Sequence, residues 1–67
     1  MYKAKIVAIK PDGKIWAGAK EQFVKGIDNN IKYFNSVDNA IAHLKHYNRK
    51  QWRVSLYTRD GKFVRTI

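Results

Sequence analysis

Apolar and polar residues alternate at the start of the chain, with Tyr2, Ala4, Ile6 and Ala8 at even positions and Lys3 and Lys5 between them. A period of two is the mark of a strand. The alternation breaks at Pro11-Asp12-Gly13 and resumes at Lys14. Pro11 presets φ at the leading corner of a turn, and Gly13 takes the positive φ that a tight hairpin needs. Residues 2 to 10 are therefore expected to pair with residues 14 to about 20 through a three-residue loop with a glycine bulge. One face of that hairpin presents Tyr2, Ala4, Ile6, Ala8, Trp16 and Gly18; the other presents Lys3, Lys5, Val7, Ile9, Ile15, Ala17 and Ala19. The two lysines favour burying the first face, and its alanines leave room for a helix to lie across it.

Asp28-Asn29-Asn30 reads as a turn, because asparagine tolerates the left-handed region, and Ile31 to Phe34 alternates like a short strand. Residues 20 to 25 either extend the second strand or form a helical turn; the strand is preferred. A period near 3.6 then takes over: Val37, Ala40, Ile41, Leu44 and Tyr47 recur at three-four spacing. Ser36 or Asn35 caps this helix, Asp38 sits in the first turn where the macrodipole favours an anion, and Asn48 ends it. Alternation returns in "QWRVSLYTRDGKFVRTI". With Asp60-Gly61 as a two-residue turn, Arg59 pairs with Lys62, Thr58 with Phe63, Tyr57 with Val64 and Leu56 with Arg65. Trp52, Val54, Leu56, Thr58, Phe63, Arg65 and Ile67 then face the core, and Arg53, Ser55, Tyr57, Arg59, Lys62, Val64 and Thr66 face outward.

These elements define an α+β fold: an antiparallel sheet of four to five strands with one helix packed on one face, in the order β-β-(β)-α-β-β. With 67 residues, a single domain over residues 1–67 is expected, close to the smallest size at which a core folds alone. The chain has no cysteine, so neither a disulfide nor a cysteine zinc site reinforces it. The opening "MYKAKIVAIKPDG" lacks a signal-peptide core, and no stretch approaches the roughly 18 apolar residues of a membrane span. A cytoplasmic chain that does not bind membranes is the expectation.

Charge narrows the class of partner. The formal net charge is +9, a field that attracts nucleic acid, an anionic membrane surface or an acidic protein, and the helix is too short and too neutral on its polar face for the membrane. It is unevenly placed: residues 45 to 67 carry Lys45, Arg49, Lys50, Arg53, Arg59, Lys62 and Arg65 against Asp60 alone. All four arginines lie there, and arginine grips phosphate bidentately where lysine acts as a point charge. Arg53, Tyr57, Arg59 and Lys62 share the outer face of the closing hairpin, cations for phosphates around a ring that stacks on a base or packs a sugar. Lys45, Arg49 and Lys50, at the helix end, extend the track. Arg65 falls on the inward face and is the arginine least expected to touch a ligand. Trp16 and Trp52 fall on the core side, where two tryptophans in so small a domain are expected to form the core itself.

Catalysis finds little support. Asp12, Glu21, Asp28, Asp38 and Asp60 are scattered and mostly serve turns and caps, and no nucleophile stands beside a base. His43 and His46 lack further metal ligands nearby, so neither a metal nor a cofactor is expected.

The stretch "IKYFNSVDNAIAHL", residues 31 to 44, resembles the last strand and first helical turns of AP2-type and phage-integrase arm-binding domains. Phe34 would close the sheet, Ser36 would cap the helix, and Asp38 and Ala40 would follow as in that family. The resemblance implies a sheet placed in the DNA major groove. That family ends with its helix, whereas this chain continues into a basic hairpin. The expected function is that of a small, basic, non-enzymatic nucleic-acid-binding protein, for DNA or RNA, with a log-log salt slope of roughly −4.5 for about five neutralised phosphates. The alternative is a small regulator or inhibitor that docks on an acidic surface of a larger protein. Val7, Ile9, Ile15 and Ala17 would then supply an apolar patch, which serves equally as a homodimer seam or as a second layer of core beneath residues 20 to 34.

Overall fold

A computed structural model describes residues 1–67. Four strands, β1 (Tyr2–Ala8), β2 (Gln22–Phe23), β3 (Trp52–Thr58) and β4 (Phe63–Thr66), and one helix, α1 (Val37–Leu44), follow in the order β1-β2-α1-β3-β4. The sheet is antiparallel throughout, with spatial order β2-β1-β3-β4. This is the expected α+β architecture. Its centre is a long-range pairing: β1 runs beside β3 from Tyr2↔Thr58 to Ala8↔Trp52. The N-terminal strand is thereby enclosed between its own edge partner and the closing hairpin.

The core lies between the sheet and α1. Ala4 and Ile6 of β1, Val54 and Leu56 of β3, Ala40 and Leu44 of α1, and Val24 and Phe34 from the connecting segment are all buried in one cluster. Phe34, Leu44, Leu56 and Val54 are the largest side chains fully withdrawn from water, each contributing about 1.5–3 kcal/mol. Tyr2, Val37, Tyr47, Trp52 and Ile67 pack around them. Ala4 and Ala40, both fully buried, keep the helix close to β1.

Ser36 is the helix cap. Its backbone is extended (φ −149°, ψ 162°) and its Oγ accepts from the Asn39 amide at 3.0 Å, satisfying one of the first-turn donors. The helix ends at Leu44, sooner than Asn48. Arg49 explains the stop, because its guanidinium donates to the carbonyls of Leu44 (3.1 Å), Tyr47 (2.6 Å) and Ile67 (3.1 Å). Asn48 instead builds the entry to β3, its Oδ1 accepting from Lys50 N at 2.8 Å and its carbonyl from Trp52 N at 2.9 Å.

One turn design occurs three times. Each is a three-residue loop with aspartate at the second position and a left-handed residue at the third: Pro11-Asp12-Gly13, Ile27-Asp28-Asn29 and Arg59-Asp60-Gly61, with φ of 87°, 65° and 99° at Gly13, Asn29 and Gly61. In each, the amide of that third residue donates back to the residue before the loop, with Gly13 N to Lys10 O at 2.8 Å, Asn29 N to Gly26 O at 3.0 Å and Gly61 N to Thr58 O at 3.0 Å. The closing pair is equally constant, with Lys10 N to Lys14 O at 2.7 Å, Gly26 N to Asn30 O at 2.8 Å and Thr58 N to Lys62 O at 2.8 Å. Asp12 and Asp28 each accept from the amide two residues on, at 2.9 and 3.1 Å, and Asp60 accepts from the Thr58 hydroxyl.

Two expectations about the hairpins are corrected. The first hairpin holds only as far as the Ile9↔Ile15 bridge. Gly18, at φ 82°, turns the chain away, and the outer edge of β1 is completed by separate pieces: Gln22 and Phe23 opposite Ile6 and Lys5, and Phe34 opposite Tyr2. The segment from 22 to 34 thus runs along the edge of β1 and sends Val24 and Phe34 into the helix-side core, rather than forming a second core layer. Trp16, beyond the break, is 51% exposed and not a core residue; its Nε1 donates to Ile9 O at 3.0 Å. In the closing hairpin the loop is three residues long, not two, so Thr58 faces Lys62 and Tyr57 faces Phe63. A bulge between Leu56 and Tyr57 absorbs the slip, with Val64 as the extra residue, and restores the expected Leu56↔Arg65 pair. Phe63 is consequently on the outer face and Lys62 is not.

Candidate nucleic-acid interface

The face of the sheet that α1 leaves uncovered is built from the odd positions of β1 and β3. Because Lys3 is paired with Tyr57 and Val7 with Arg53, the outer faces of the two hairpins merge into one surface. Phe23 of β2 stands opposite Lys5 on one side, and Phe63 of β4 stands opposite Tyr57 on the other. A row of rings therefore crosses the sheet, with two ammonium groups set into it.

The distances show how closely cations and rings interleave. Lys5 Nζ lies 5.1 Å from the Phe23 ring centroid and 4.8 Å from that of Tyr57, so it bridges β2 and β3. Lys3 Nζ is 5.0 Å from Phe23. Tyr57 and Phe63 meet edge to face, centroids 5.8 Å apart at 73°. Each cation–ring contact is worth about 0.5–1 kcal/mol at an exposed site, enough to hold the lysines upright without neutralising them. Phe63 is 60% exposed, whereas Phe23 and Tyr57 are half-buried. At the far end of the face Val7 is 3% exposed although no helix covers it; its partner Arg53 reaches across to donate to Gly13 O at 3.1 Å. At that end Val7 is closed off beneath an exposed Arg53, and the Phe23–Phe63 end is open, with Lys3 and Lys5 among its rings.

The seven residues singled out in the sequence are not brought into one surface. Arg53 and Tyr57 lie on the open face. Arg59 sits in the turn beyond β3, its guanidinium 5.5 Å from the Tyr33 ring, beside a shallow pocket of about 490 Å³ lined by Met1, Tyr2, Thr58, Arg59 and Asp60. Lys62, opposite Thr58, belongs to the helix side. Lys45 is exposed at the helix C-cap. Lys50 borders a groove of about 410 Å³ with Trp16 and Trp52, also on the helix side. Arg49, with three carbonyls in hand, is a structural guanidinium. Arg65, opposite Leu56 but exposed on the edge strand, donates to Thr66 O at 3.3 Å.

Lys3, Lys5, Phe23 and Phe63 are the residues of this face that sequence reasoning did not single out. The parity of Lys3 and Lys5 was legible, since both fall on the outer face of the first hairpin. The pairing of β1 with β3 was not, and it alone joins them to Tyr57. The two histidines are exposed on the helix end and contact neighbouring rings: the His43 ring lies 5.3 Å from Phe34, the His46 ring 4.2 Å from Tyr47, and His46 Nδ1 is 2.8 Å from His43 O. Compared with protein-family models, curated proteins and solved structures, the chain matches none.

Proposed function

We propose that this protein binds nucleic acid through the uncovered face of its sheet and acts by binding rather than by catalysis. The observation that supports this reading is the placement of Lys3 and Lys5 among Phe23, Tyr57 and Phe63, with Arg53 further along β3 on the same face, which α1 does not cover. Ammonium groups neutralise phosphates and release counterions, and aromatic rings offer faces to bases or sugars. The rest of the positive charge draws the polyanion in and contributes to rate more than to specificity.

Three cations on the face imply a log-log salt slope of about −2 on single strands and about −3 on duplex. Titration of labelled oligonucleotides by fluorescence anisotropy at two salt concentrations measures it. A Lys3→Glu, Lys5→Glu double variant should weaken binding by at least about tenfold at low salt. No binding at low salt, or a slope near zero, refutes the reading.

One observation favours a protein partner instead: Ile15 and Trp16, 41% and 51% exposed, adjoin at the end of the first hairpin. On that alternative the chain regulates a larger protein by docking on an acidic surface. Partner binding would then fail on Ile15→Gln and survive Lys3→Glu, Lys5→Glu.

A further inference from the structure

Resting on the nucleic-acid reading, we infer that the ligand is single-stranded and that one base stacks on Phe63, with Tyr57 supporting that ring through a T-shaped contact. Phe63 is a large apolar side chain, 60% exposed on β4, and the bulge at Val64 is what turns it to this side. It contributes little to the core, since the cluster beneath the sheet is complete without it. Tyr57 meets it in a T-shaped contact at 73°, and the 60% exposure of Phe63 leaves ring surface open to a flat partner.

Duplex fits this surface poorly, for two reasons. Four strands at about 4.8 Å spacing set the outermost backbones about 14 Å apart, wider than the roughly 12 Å major groove, which admits a two-stranded ribbon. A duplex also keeps its bases paired and stacked inside, so a phenylalanine between its phosphates would meet charge and water. An unpaired strand offers both halves of what the face presents. Its phosphates run over Lys3 and Lys5, whose ammonium groups lie 5.0 and 5.1 Å from the Phe23 ring, that of Lys5 also 4.8 Å from Tyr57, and its bases reach outward to Phe63. Stacking is tolerant of sequence, because every base has a π-face.

The experiment uses the full chain and three probes of equal length: an oligothymidylate, the same backbone with abasic sites, and a duplex. At one low salt concentration the oligothymidylate should bind at least about tenfold more tightly than either of the others. Phe63→Ala should weaken oligothymidylate binding by about 5- to 150-fold, while leaving the abasic strand unchanged. Phe63→Trp should retain the affinity and Phe63→Leu should not. Circular dichroism should show each variant folded, as expected for an exposed side chain. Salt-dependent binding in which the abasic strand or the duplex equals the oligothymidylate, or in which Phe63→Ala changes nothing, overturns the stacking inference and leaves the proposed function standing. No binding to any of the three removes both.

Discussion

Arg49→Lys separates a structural guanidinium from a ligand-binding cation, because it keeps the charge and removes the fork. In the native protein Nε, Nη1 and Nη2 each reach a different carbonyl, those of Ile67, Tyr47 and Leu44. They tie together the C-terminus, the turn after α1 and the last helical residue. A lysine has one nitrogen and cannot span all three acceptors. A hydrogen bond to a charged group is worth about 1.5–3 kcal/mol when buried. Arg49 is half-buried, so water recovers part of that, and two lost bonds at about 1 kcal/mol each give about 2 kcal/mol. A domain of this length holds about 3–10 kcal/mol in total, and the loss should lower Tm by about 8–16 °C. Thermal melting followed by far-ultraviolet circular dichroism reads this directly, with exposed Arg65→Lys as a control expected to stay within about 0.5 kcal/mol. At a temperature where Arg49→Lys is folded, its affinity for an oligonucleotide should equal the wild type's. A variant that melts within about 2 °C of wild type but binds more weakly would refute the reasoning and return Arg49 to the ligand track.

Three further outcomes test the local structure. Ser36→Ala should cost about 1 kcal/mol, seen as a lower urea midpoint with an unchanged m value, because the Asn39 amide loses its acceptor. Gly13→Ala and Gly61→Ala should each cost about 1–2 kcal/mol, purely from the backbone, since nothing lies within 4 Å of the added methyl at either position; equal melting temperatures would show that the turns are not as described. Asp28 is held below the ordinary carboxylate value of 3.8, first by the Asn30 amide of its own turn and then by the Asn30 side chain. Its folded-state value is depressed, so its contribution is complete above pH 3.8 and fades as pH falls through the lower folded value. Protection of the Asn30 amide, taken relative to its intrinsic exchange rate at each pH, should fall there in the wild type, and Asp28→Ala should show the lower protection already at neutral pH.

What was legible in the sequence was whatever depends on neighbours along the chain. Ser36 with Asp38 and the three-four spacing of Val37, Ala40 and Leu44 mark the start and the buried stripe of α1, because capping and helical period act within a turn or two. The aspartate loops are likewise local, set by which residues accept a left-handed φ, although the second spans residues 27–29, one residue before the expected 28–30. Strand parity is local too, and it sorted Ala4, Ile6, Val54 and Leu56 inward and Lys3, Lys5, Arg53 and Tyr57 outward. Tertiary structure decided what parity leaves open, namely which strands are neighbours and in what register. Pairing β1 with β3 closes a loop of some fifty residues, and it is chosen by the burial it allows under α1 rather than by any signal in either strand. That choice merges two half-faces into one cationic, aromatic surface. The bulge at Val64 exposes Phe63, the break after Ile15 leaves Trp16 outside the core, and three carbonyls from distant segments claim Arg49. Each is a question of partners that meet only when the chain has folded, so the same alternation of residues yields a different site from the one it suggests.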